Sequence, residues 1–168
     1  SKVTDATGPL LAQTANYPWN KLYRTEFLRT HGIGCTEILV HEDVELHWRS
    51  FLKARSILAS DRVAVIHVVR PDGERLTNRA GPERLDAFGP LSALAKEVAQ
   101  TPYAPAFARF ALGLIVWIAD NLDPAHLPAL AKHARIFLDT TLSAQTRAAL
   151  AENDPALLDR LNTLISPN

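Results

Sequence analysis

The sequence predicts an α+β fold: a small β-α-β-β layer with an antiparallel hairpin, packed on a predominantly helical C-terminal region. Three observations carry this expectation. The run 62–70, R-V-A-V-I-H-V-V-R, is rich in β-branched residues and reads as a strand. Pro71-Asp72-Gly73 is turn chemistry, and 74–78 reads as a shorter return strand. After Gly81 no strand signal remains, and proline marks successive helix starts at Pro82, Pro90, Pro102 or Pro105, Pro124 and Pro155. The layout is an N-terminal arm over 1–34, a small α+β layer over 35–80 and a helical region over 81–168, together one compact domain.

Residues 1–20 hold Gly8, Pro9 and Pro18 and read as an arm with about one helical turn near 10–15. Tyr17, Trp19, Tyr23 and Phe27 follow, an aromatic set that has to be covered by something. Leu22, Tyr23, Phe27 and Leu28 space out a short helix over 19–30, and H-G-I-G at 31–34 stops it. The run 36–40, T-E-I-L-V, favours a strand. Residues 42–59 give the clearest amphipathic helix, with Val44, Trp48, Phe51, Leu52, Arg55 and Leu58 on one side and Asp43 as cap.

In the helical region the spacing predicts helices over 82–87, 90–100, 104–121, 124–142, 144–151 and 155–165. The stretch 103–119 carries one charge, Arg109, and is apolar nearly all round, so it is enclosed by other helices or by a partner. It is too short and interrupted for a membrane span, which needs about 20 apolar residues. Leu127, Leu130, Ala134, Phe137, Leu138 and Thr141 form one core stripe, and Leu157, Leu158, Leu161, Leu164 and Ile165 another. Asp-Pro at 123–124 and 154–155 reads as N-cap followed by N1.

The 168 residues carry 18 basic and 18 acidic side chains. This neutrality lacks the basic balance of a nucleic-acid binder and sets no charge barrier to self-association. Arg49, Arg55, Arg62, Arg70, Arg75, Arg79 and Arg84 are interleaved with acidic residues and make no clear phosphate site. The single cysteine, Cys35, excludes an intrachain disulfide. The first ten residues hold no apolar h-region, and a cytoplasmic location is the expectation. Abundant Ala, Leu, Arg and Pro fit a bacterial chain.

The polar cluster H-E-D-V-E-L-H at 41–47 offers ligand types, but His41 and His47 diverge by roughly 120° on a helix. A capped helix start explains the cluster better than a metal site. His126 and His133 share a helix face at i, i+7, where a surface role competes with ligand binding. Cys35 with His31 or His41 is the weakest idea, a small enzyme with a thiolate nucleophile, against an inert thiol. His67 reads as a polar residue on the solvent or interface side of its strand. Arg109 sits either at an exposed corner, its stem over apolar neighbours, or buried against an anionic partner.

These patterns lead to a non-catalytic interaction or regulatory protein, oligomeric or bound to a protein partner, docking through Tyr17, Trp19, Tyr23 and Phe27 and through apolar helices. The alternative is a sensor that binds a small apolar ligand or cofactor between helices 104–121 and 124–142, with Arg109, Trp117, His126 and His133 as contacts. No residue set specifies a particular cofactor or metal.

Overall fold

A computed structural model describes residues 2–3, 7–68 and 79–166. The chain is mostly helical, about 65%. This corrects the expected α+β layer. The β pairing among the described residues is a two-residue antiparallel ladder, β1 (Lys2–Val3) on β2 (Ile57–Leu58). The run 62–68 is solvent-exposed and belongs to no helix or ladder among the described residues, while the expected turn and return strand at 71–78 lie outside them. Strand propensity expresses itself only where a neighbour completes the hydrogen bonds. The run 36–40 shows the same override. It folds into a tight loop, closed by Thr36 N–H on the Glu42 carbonyl (2.8 Å) and Ile38 N–H on Thr36 (2.9 Å).

The N-terminal half holds α1 (Gly8–Leu11), a 3-10 turn at Pro18–Asn20, α2 (Thr25–His31) and α3 (Val44–Lys53). Gly32 ends α2 with φ 59°, a left-handed conformation that glycine adopts without a Cβ clash. The expected helix over 42–59 stops at Lys53, because Ala54 turns extended and Ile57–Leu58 pair with β1. Arg55 and Leu58 therefore leave the predicted stripe, and Leu58 is exposed, while Val44 and Trp48 are fully buried. Asp43 occupies the N-cap position, but its carboxylate caps nothing.

The C-terminal half follows the spacing closely. A 3-10 turn at Pro82–Ala87 leads into α4 (Phe88–Val98), then come α5 (Ala104–Asn121), a 3-10 turn at Pro124–His126, α6 (Leu127–Thr141), α7 (Ala144–Asn153) and α8 (Pro155–Ile165). Asp123 and Asp154 cap as their position before proline predicts, accepting from Ala125 N (2.9 Å) and Leu157 N (3.3 Å). Ser143 accepts from Thr146 N. α5 runs through the core, burying Phe107, Leu112, Ile115 and Ile118. It packs on α4, α6, α7 and α8, and α3 seats against α4. Trp48 from α3 reaches Phe107 and Phe110 of α5, its ring centroid 5.0 and 5.2 Å from theirs. No helix among the described residues is long and apolar enough to cross a membrane.

Candidate functional site

The aromatic arm divides into outward and inward parts. Pro18 fixes the 3-10 turn, which places Tyr17 and Trp19 side by side, ring centroids 4.9 Å apart and planes within 12°. Both are exposed, Trp19 by 43%. Lys21 holds the turn from beneath, its Nζ donating to Ala15 O (2.8 Å), Tyr17 O (3.1 Å) and Asn20 Oδ1 (2.6 Å). Burial lowers its amine to about 8, opposed by the charge of Asp43. Trp19 also meets His67, at 5.1 Å, so the arm and the run 62–68 touch. Val63 (83% exposed) and Ile66 (82%) stand on that run, and Leu22 is fully exposed on the arm. Tyr23 turns inward instead: its hydroxyl is buried beside Ser50 of α3, and burial pushes its pKa up. Phe27 is half-buried on α2, 5.2 Å from His31. Of the four aromatics expected at an interface, Tyr17 and Trp19 face out, while Tyr23 anchors.

A polar cluster ties the arm to α3. His47 is completely buried and its Nε2 donates to the Ala12 carbonyl (2.8 Å), since a carbonyl only accepts. Nδ1 is then a bare, buried acceptor, with no hydrogen-bond partner among the described residues. Burial lowers this imidazole to about 4. Asp43 accepts from Asn16 Nδ2, and burial, helped by Glu42, raises its carboxyl to about 6. His47 stood out in the sequence only as part of the polar cluster at 41–47, and Asn16 and Lys21 were not singled out. Their partners are 35 or 27 positions away or lie on loop carbonyls, and no local pattern announces such pairs. No group of three metal-ligating side chains forms among the described residues. Cys35 is exposed and its thiol is pushed up by burial and by Glu42 and Asp43, the opposite of what a thiolate nucleophile needs.

The four residues expected to share a ligand site do not share one. Arg109, Phe110, Gly113 and Trp117 of α5 border a shallow groove of about 370 Å³, completed by Gln13 just after α1 and by Asp154 and Leu157 at the start of α8. A second recess of about 180 Å³ lies where α4, α5 and α6 meet, between Val98, Ala104, Phe107 and Phe137. It matches the expected location, yet none of the four lines it. His133 is exposed, its Nδ1 donating to Ala129 O (2.8 Å) and its ring 5.4 Å from Phe88. His126 sits in the turn before α6.

Arg109 is an exposed corner, paired with Asp154 (3.1 Å) and donating to Gln13 Oε1 (3.0 Å). An exposed pair of this kind contributes under about 1 kcal/mol. Arg109→Ala is expected to shift the urea midpoint only slightly; a loss above about 2 kcal/mol would show that the residue carries more than this pair. Trp117 is 39% exposed and carries the buried guanidinium of Arg84 at 4.7 Å from its ring centre. Burial lowers the Arg84 pKa, and its Nε donates to the Arg79 carbonyl (2.5 Å). His41 meets Trp117 edge-on at 5.7 Å from a left-handed backbone (φ 66°), unusual for a residue with a Cβ. Burial first, then the charge of Arg84, lower His41 to about 4. Compared with protein-family models, curated proteins and solved structures, the chain matches none of them.

Proposed function

We propose that this chain is a non-catalytic interaction module whose docking surface combines Tyr17 and Trp19 with the β-branched run 62–68. The contact of Trp19 with His67 carries the reading, because it joins two exposed apolar stretches into one surface. Large exposed apolar patches mark association sites, and rigid aromatics supply contact area at low entropic cost. Lys21 holds the aromatic turn in place before any partner arrives. A bacterial, cytoplasmic setting is part of the proposal, supported by the composition and the lone cysteine.

The test compares the protein with the double variant Trp19→Ala, Ile66→Lys by light scattering and by capture of partners from host lysate. The wild type is expected as a multiple of 18.5 kDa or with a retained partner. The variant should lose that association while keeping its helical circular dichroism. Association unchanged in the variant overturns the reading, and so does a wild type that stays single and retains nothing.

A second reading rests on the groove beside Trp117. Its apolar floor at Phe110 and Gly113, with Arg109 and Asp154 paired at the rim, suits a small apolar compound. A rise in thermal midpoint with such a compound, lost in Gly113→Leu, supports it.

A further inference from the structure

We infer that the run 61–68 pairs antiparallel with the same run of a second copy of this chain. The inference rests on the proposed docking surface and names its occupant. The run is exposed along its length and lies in no helix or ladder, and the peptide groups of 63–68 make no backbone hydrogen bond among the described residues. Its sequence, D-R-V-A-V-I-H-V, has the β-branched content of a ladder strand. An exposed strand edge is a template for strand addition.

Charge and symmetry choose both the partner and the register. A two-fold axis perpendicular to an antiparallel pair leaves each residue on its own face, so opposed residue numbers sum to an even number. Centring the pair on Ile66 or on Val65 leaves Asp61 with no residue of the run opposite it. Centring on Ala64 sets Asp61 against the partner's His67 and Val63 against the partner's Val65. It also puts the smallest side chain of the run on the axis. This register alone of the three pairs the acidic end with a basic side chain and opposes no like charges. The equal count of basic and acidic residues removes any net repulsion between copies.

The test uses the full chain with Cys35→Ser and single cysteines at 63, 64, 65 and 66. Directly opposed residues have Cβ atoms about 4.5–5.5 Å apart, close to what a disulfide bridges. Ala64→Cys is therefore expected to give a covalent dimer under mild oxidation, at least about tenfold more than its neighbours. Ala64→Pro removes a ladder N–H and is expected to weaken the non-covalent dimer at least about tenfold. A dimer that crosslinks at none of the four positions, or mainly at another, overturns this pairing and leaves the docking surface standing. A chain single at 100 µM that still retains a different partner overturns the second copy as occupant but not the proposed function. A dimer insensitive to the double variant Trp19→Ala, Ile66→Lys, which sets a second cation against Arg62, counts against that function instead.

Discussion

Trp48→Ala is expected to cost about 3–5 kcal/mol, enough to unfold a domain whose total stability is about 5–15 kcal/mol. The indole is fully buried and is the joint between the two halves of the chain. It meets Phe107 edge-on, with planes at 89°, and lies 5.2 Å from Phe110 and 5.8 Å from His47. Truncation removes contacts with α5 and leaves a cavity that rigid helices on both sides cannot close. The Nε1 proton is buried with no hydrogen-bond partner among the described residues. Trp48→Phe therefore loses no hydrogen bond and should cost markedly less than the alanine. Urea unfolding followed by circular dichroism measures both; a loss below about 1 kcal/mol for the alanine variant would remove Trp48 from its role as joint.

The second large effect is acid sensitivity, with opposed contributions from neighbouring groups. His47 titrates near 4 when folded and near 6.5 when unfolded. Between those values the unfolded chain binds the extra proton. The stabilisation is therefore complete above 6.5 and disappears as pH falls to 4, roughly 3 kcal/mol for so buried a group. His41 acts in the same direction, its imidazole also lowered to about 4 by burial and by the charge of Arg84. Asp43 acts oppositely: its folded carboxyl takes its proton near 6, ahead of the unfolded value of 3.8, so acidification stabilises through it. Two imidazoles against one carboxylate leave a net loss between pH 6.5 and 4. Asp43→Asn is expected to steepen that loss and His47→Gln to flatten it. Unfolding free energies at pH 7, 5.5 and 4 for the three proteins decide the matter. Equal slopes would mean that His47 and Asp43 titrate alike in the folded and unfolded chains.

How much could be read from the sequence differs between the two halves, for physical reasons. In 82–165 the chemistry is local: Asp-Pro at 123 and 154 caps the next turn, and Leu130, Ala134, Phe137 and Leu138 recur at helical spacing to meet one core. In 36–68 strand propensity pointed to a layer, but a strand exists only when another strand completes it. Thr36–Val40 instead closes on Glu42, and 62–68 joins no ladder among the described residues. The aromatic arm was visible, and Tyr17 and Trp19 do face out. That Tyr23 turns inward depends on Ser50, far along the chain. Arg109 at an exposed corner was one of two readings of its place. Arg84, buried on Trp117, was seen only as one of many arginines, because its neighbour is 33 positions away.

The seat of α3 on α4 also sets an order of events during synthesis. Val44 and Trp48 leave the ribosome well before α4 and α5, which cover them. Until about forty further residues have emerged, this apolar face lacks the helix it seats against. The later helices meet near neighbours in sequence and can condense quickly. The nascent chain thus waits on its own C-terminal half, and chaperone occupancy should peak after α3 has emerged and fall once α5 is free.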